Sequence, residues 1–221
     1  MERKTTVETT GGSGILPASA VILGGGRGRR MGGNKLFLAA GGALLVERVL
    51  SRVAPWFSGV LLAVGPDDRE PLEKLLAPFR GRWPLRVVVD ATPGRGPLEG
   101  LAAALEALDS DWAFALGCDM PLVQEAVVRA LWNARGPESQ VACARLDGFV
   151  EPLHAFYSVS CLPAIRRALA RGERKIKSFY DEVNVTVVEE ESFRCLPGYR
   201  RSFSGVNTPE DLLRLMNPRL P

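Results

Sequence analysis

Ala20-Val-Ile-Leu-Gly-Gly-Gly-Arg-Gly-Arg-Arg-Met-Gly-Gly-Asn-Lys35 is the stretch on which the reading of this sequence turns. Its first four residues form a short apolar run that ends at Gly24, the pattern of a strand covered on both faces. The rest is built to meet an anion. Glycines let the backbone approach a ligand closely and point successive N–H groups at anionic oxygens. Arg27, Arg29, Arg30 and Lys35 add four positive charges within nine residues, with no acid among them. A triphosphate is the natural counterpart, which makes Leu23, Gly24, Gly25, Gly26, Arg27 and Lys35 candidate nucleotide-binding residues. Lys35 and Arg30 are the candidate catalytic cations. Two other phosphate loops are excluded. A P-loop needs GxxxxGK[ST], but Asn34 follows Gly28 and Gly33, and Leu36 follows Lys35. The dinucleotide pattern GxGxxG fails at Met31.

Outward from this loop, short apolar runs alternate with segments of helical period. Leu45, Val49 and Val53 share one face of a helix over 44–53, and Val60–Val64 reads as a second strand. Asp67 or Asp68 is expected to cap the helix that follows. Leu85–Val89 is a third strand, ending at Asp90, and Trp112–Leu116 a fourth, ending in Gly117-Cys-Asp119. Pro121 suits the first turn of a helix, where its missing N–H is no loss. Further on, 141–145, 153–157 and 183–188 read as strands and 162–171 as a helix. Asn207-Thr-Pro-Glu-Asp211 is a strong helix start, with a capping residue, a proline and first-turn acids. This order predicts an α/β three-layer sandwich with a mostly parallel sheet. A single domain over 19–217 is expected, after a flexible Thr/Gly-rich tail at 1–18.

Ligands of open α/β sheets bind outside the carboxyl ends of the strands, and three such ends carry unusual residues here. An aspartate just past a buried strand is placed to hold a hard cation; Mg²⁺ takes one or two carboxylates and fills its shell with substrate phosphates and water. Asp119 is therefore both the metal candidate and a candidate catalytic residue. Asp90 and the Gly96-Pro97 turn border a loop fit to cradle a base or a phosphate, with Asp90 accepting hydrogen bonds from a base. His154, the lone histidine, has no partners for a zinc cluster and reads as a satisfied, partly buried side chain. Cys118 precedes a carboxylate rather than a base, which disfavours a thiolate nucleophile.

Bulk properties agree with a globular chain of 221 residues, 46% hydrophobic and 24% charged. The net charge of +3 suits an anionic small molecule, and no long basic run calls for nucleic acid. No apolar stretch reaches the length of a membrane span. Cys118, Cys143, Cys161 and Cys195 form neither a CxxC pair nor a zinc pattern, so reduced thiols and a cytoplasmic location are expected.

Taken together, these segments resemble the molybdenum cofactor guanylyltransferases, the MobA-like proteins. Leu23–Lys35 is similar to the family loop LAGGxxxRMGxxK, Gly96-Pro-Leu-Glu-Gly100 to GPLxG, and Cys118-Asp-Met-Pro121 to CDxP. Val206-Asn-Thr-Pro-Glu-Asp-Leu212 is similar to the ending NVNTPEDL, and Glu151-Pro-Leu153 with Phe156-Tyr-Ser158 to another family segment. The resemblance implies a Rossmann-like nucleotidyltransferase fold, Mg²⁺, and transfer of GMP from GTP to the phosphate of molybdopterin with release of pyrophosphate. It places Leu23, Gly25 and Gly26 on the guanine and ribose side, Lys35 at the phosphates, Asp90 at the base and Asp119 at Mg²⁺. It also implies transient contact with a protein that delivers molybdopterin or with a target molybdoenzyme. Two positions depart from the pattern: Gly205 stands where the family has asparagine, and Gly65 where an asparagine often contacts the nucleotide. Cytidylyl transfer, nucleotidyl transfer to a sugar phosphate, and a non-enzymatic cofactor escort are the competing readings.

Overall fold

The computed structural model describes residues 14–24, 34–90 and 96–216, together with the backbone alone of 3–4, 27–28 and 33. Seven strands form the central sheet: β1 (Leu16–Leu23), β2 (Phe57–Val64), β3 (Leu85–Val89), β4 (Trp112–Gly117), β5 (Val141–Leu146), β6 (Phe149–Ser158) and β7 (Val185–Glu189). Their spatial order is β7-β5-β6-β4-β1-β2-β3, and the backbone of Arg3–Lys4 pairs in parallel with β7. Every pairing is parallel except the two made by β6, which runs antiparallel to β4 and β5.

The period of two along the central strands explains the layers. Ala20, Ile22, Leu62 and Val64 face one core, while Val21, Leu23, Leu61 and Ala63 face the other. The first core is closed by α1 (Leu45–Val53), α2 (Pro66–Leu76) and, after α3 (Pro97–Glu106), by α4 (Glu125–Asn133). The second is closed by α3 and α5 (Leu162–Ala170). The result is the expected three-layer α/β sandwich. Among the described residues, no helix is long and apolar enough to cross a membrane.

Three local expectations give way to tertiary forces. The first strand starts at Leu16, inside the stretch expected as tail, because Leu16 and Ala18 are buried. Exposed Pro17 is accommodated where the register with β2 shifts between Leu16 and Ser19. Asp67 and Asp68 lie within the first turn of α2 rather than capping it, and Gly65 takes the cap position. Pro121 starts no helix: α4 begins at Glu125, after a connection tethered by Arg52 Nε donating to the Val123 carbonyl and by the Gln124 N–H donating to Ser202 Oγ (2.8 Å).

His154 sits where β6 bulges between Glu151 and Phe156, at φ +85°. It is wholly buried, more so than its sequence suggested. Its Nε2 meets Ser202 Oγ at 2.5 Å, its ring stacks on Phe203, and its Nδ1 has no partner among the described residues. Burial pulls its pKa down from 6.5 to about 3. The unfolded chain therefore takes up a proton below pH 6.5 that the folded chain refuses, so this histidine supports the fold above pH 6.5 and progressively less toward pH 3. Between pH 7 and pH 5 the wild type should lose about 2 kcal/mol more unfolding free energy than His154→Gln. Urea titrations at the two pH values measure this difference; equal losses would place the imidazole in contact with solvent.

Candidate active site

The carboxyl ends of β1, β2, β3 and β4 meet through backbone bonds made just past each strand. The Gly24 N–H donates to Ala63 O (2.8 Å), Cys118 N–H to Leu23 O (3.1 Å) and Asp90 N–H to Val64 O (3.0 Å). The three unusual strand ends are thus brought to one edge of the sheet. A Cβ at Gly24 would lie 2.7 Å from Val64 Cγ1 and 3.0 Å from Leu36 Cδ1, so any larger residue would have to displace these buried side chains. Gly25, Gly26, Arg29 and Arg30 lie outside the described residues; the backbone of Arg27 pairs with that of Asn34.

Where the chain re-enters the fold, the Asn34 side chain accepts from the Leu36 N–H (3.1 Å) and donates to Asp68 Oδ1 (2.6 Å). Leu36 is buried, and this anchoring aims Lys35 across the edge. Lys35 Nζ donates to Asp119 Oδ2 at 2.6 Å and to Asn207 Oδ1 at 2.7 Å. The pair is sheltered, with 16% of the lysine and 20% of the aspartate side chain exposed.

Asp119 is held by its own turn. The Met120 N–H donates to Gly117 O (3.2 Å), and a Cβ at Gly117 would fall 2.4 Å from Asp119 Oδ1. Its carbonyl accepts from the Val206 N–H at 2.7 Å, which ties in the C-terminal segment. After α6 (Tyr199–Ser202), that segment enters α7 (Pro209–Met216) through a reciprocal cap. Thr208 N–H donates to Asp211 Oδ2 (2.9 Å), while Asp211 N–H donates to Thr208 Oγ1 (3.1 Å). Asp211 Oδ2 also accepts from the Asn207 N–H (2.9 Å), fixing the side chain that reaches Lys35. A Cβ at Gly205 would lie 3.5 Å from Asp119 Oδ2, so this flank of the carboxylate carries no side chain and Asn207 supplies the neighbouring amide.

Asp90 lies at the end of β3 beside the start of α3. Its Oδ1 is buried with no hydrogen-bond partner among the described residues. Burial, then the Glu99 and Asp68 carboxylates, raise its pKa above the usual carboxylate value. Gly96, at φ +82°, leads into Pro97 at the first position of α3. Leu23, Gly24, Lys35, Asp90, Gly96, Pro97 and Asp119 therefore all stand at the same end of the sheet. Cys118 is buried, and burial followed by the Asp119 charge pushes its thiol up to about 12, so it supplies no thiolate. The four cysteines are free.

Asn207 is the member that residue-by-residue reading missed. Its signal was the strong helix start beside it, taken for structure alone. Two oxygens, one carboxylate and one amide, converge on a single ammonium nitrogen, which marks a spot where positive charge is favoured. Hard oxygen donors of this kind suit a divalent cation, with substrate phosphates and water completing its shell. Among the described residues, no group of three or more His, Cys, Asp or Glu could hold a metal unaided.

A mostly parallel α/β sheet that gathers Gly24, Lys35 and Asp119 at the carboxyl ends of its strands is the frame of a nucleotidyltransferase. More narrowly, the chain belongs to the MobA-like NTP transferase family, whose domain matches residues 20–187. It is 34% identical over 200 residues to a probable molybdenum cofactor guanylyltransferase of Pelotomaculum thermopropionicum, covering 90% of this chain and 92% of that one. It is 30% identical over 195 residues to the molybdenum cofactor guanylyltransferase of Desulfosudis oleivorans, covering 88% and 92%. The crystal structure of molybdopterin-guanine dinucleotide biosynthesis protein A from Archaeoglobus fulgidus superposes with a TM-score of 0.75 at 28% identity, covering 90% of this chain and 97% of that one.

Proposed function

We propose that this chain transfers GMP from GTP to the terminal phosphate of molybdopterin, releasing pyrophosphate, with Mg²⁺ as its metal. The observation that carries the reading is the convergence of Lys35, Asp119 and Asn207 at the carboxyl edge of the sheet. An acceptor phosphate monoester oxygen forms a new bond to the α-phosphorus of GTP, and the bond from that phosphorus to the β-bridging oxygen breaks. The departing electron pair leaves with pyrophosphate. Because the second pKa of a phosphate monoester is near ~6, the nucleophile is already dianionic and no side chain need remove a proton. This agrees with a site whose nearest thiol is inert, while the one histidine of the sequence is buried at the bulge of β6.

Asp119 and Asn207 would hold Mg²⁺, which when bound supplies charge compensation to the triphosphate. Lys35 turns from Asp119 to the phosphates, aided by Arg27 and Arg30. Leu23, Gly24, Gly25 and Gly26 line the nucleotide on one side, with Gly96 and Pro97 on the other, and Asp90 accepts from the base. In-line placement and charge, rather than acid–base chemistry, carry the rate. Free cysteines support a cytoplasmic setting, where the product passes by transient contact to a molybdoenzyme.

Pyrophosphate release with GTP, CTP, ATP and UTP, with and without molybdopterin, tests the reading. GTP should be turned over at least about tenfold faster than CTP, the margin of one extra polar contact, and only with molybdopterin present. A preference for CTP would make the protein a cytidylyltransferase. Turnover with hexose 1-phosphates alone would move it to sugar activation, and GTP binding without turnover would make it an escort.

A further inference from the structure

Two carboxylates where β3 meets α3 each keep a buried oxygen without a hydrogen-bond partner among the described residues. Glu99, in the first turn of α3, is only 8% exposed, and its Oε2 is buried with no hydrogen-bond partner among the described residues. Asp90 Oδ1 is in the same state. The two acids are close enough that Glu99 contributes to the raised pKa of Asp90. Next to Glu99, a Cβ at Gly100 would lie 3.4 Å from Leu23 Cδ2 and 3.8 Å from Asp90 Oδ1. The start of α3 is therefore packed against the ends of β1 and β3, inside the ligand edge of the sheet. No ion pair among the described residues reaches either acid.

Buried acceptors in native proteins are almost always satisfied, and an orphan at a ligand edge points to a donor that arrives with the ligand. Two adjacent orphan acceptors call for two adjacent donors. Guanine carries such a pair on one edge, the N1–H and the 2-amino group. Adenine and cytosine each set one amino group beside a ring-nitrogen acceptor, and uracil has one N–H between two carbonyls.

We infer that Glu99 is a specificity-determining residue, which accepts from the 2-amino group of the guanine ring while Asp90 accepts from its neighbour. The assignment rests on GTP being the donor nucleotide. It gives the buried acid a task that packing alone does not require, since alanine at the same helix position would bury no charge.

Inosine triphosphate, which lacks only the 2-amino group, is the probe. Binding of GTP and ITP by calorimetry and kcat/KM for pyrophosphate release with each are measured for the wild type and Glu99→Ala. The wild type should favour GTP over ITP by about 10- to 100-fold, the range for a hydrogen bond to a charged group. In Glu99→Ala the ratio should fall to near one through loss of GTP affinity, with ITP little changed. Its Tm should be no lower than that of the wild type, because an uncompensated acid has been removed. An unchanged GTP/ITP ratio would overturn the inference, as would a lowered Tm with equal losses for both nucleotides. Wild-type preference for CTP over GTP would instead overturn the reading of the donor, so the two failures are distinguishable.

Discussion

Asp119→Asn should leave the chain folded and slow pyrophosphate release by about 10³-fold, the scale on which a group that stabilises transition-state charge is lost. The amide keeps the shape of the carboxylate, so the turn closed by Gly117 and the bond from the Val206 N–H survive. What is lost is the charge that faces Lys35 at 2.6 Å. Divalent cations bind poorly to a site made of two amides, because hard ions favour anionic oxygen. Turnover should recover only partly at high Mg²⁺, and GTP should still bind through the glycine–arginine loop. Steady-state rates across a Mg²⁺ titration check this. A variant within tenfold of the wild type would show that the carboxylate stands outside the chemistry.

Lys35→Met should weaken transfer by about 10- to 100-fold, the loss of one charge-assisted contact to phosphate in a sheltered setting. Methionine preserves the apolar stem that lies beside buried Leu36. A second effect has the opposite sign. In the free protein the lysine ammonium sits on Asp119 Oδ2 and Asn207 Oδ1, and so competes with any cation for the same oxygens. Removing it should tighten binding of Mn²⁺ to the nucleotide-free protein while weakening binding of GTP. Paramagnetic or calorimetric titration with Mn²⁺ separates the two. If both affinities fell together, Lys35 would be a framework residue.

Much of this was legible because two chemical signals are local. A glycine-rich turn after an apolar run announces a strand end, and an aspartate behind a second such run announces another. The sheet then brings them together by rules that need no detail. Long-range contacts were less legible. Asn207 lies 172 positions from Lys35, and no periodicity connects them. Asp68 read as a cap because the cap pattern is local; its bond to Asn34 is not. Pro121 carried a valid helix-start signal, which lost to the tethers at Val123 and Gln124. Glu99 was passed over as the variable position of a glycine–proline motif, since only the folded structure reveals that its Oε2 is buried without a partner among the described residues. The single histidine was read as a satisfied side chain, yet the bulge in β6 turns it fully inward and leaves one ring nitrogen without a partner among the described residues.

The Asn207 amide reaches Lys35 across 172 positions of chain, so the two sides of this contact are made at different times during synthesis. Lys35 emerges from the ribosome well before Asn207. A chain terminated between Asp119 and Asn207 thus holds the lysine and the carboxylate without the amide that joins them. Synthesis itself withholds the full set of three until the segment at 207 has been made.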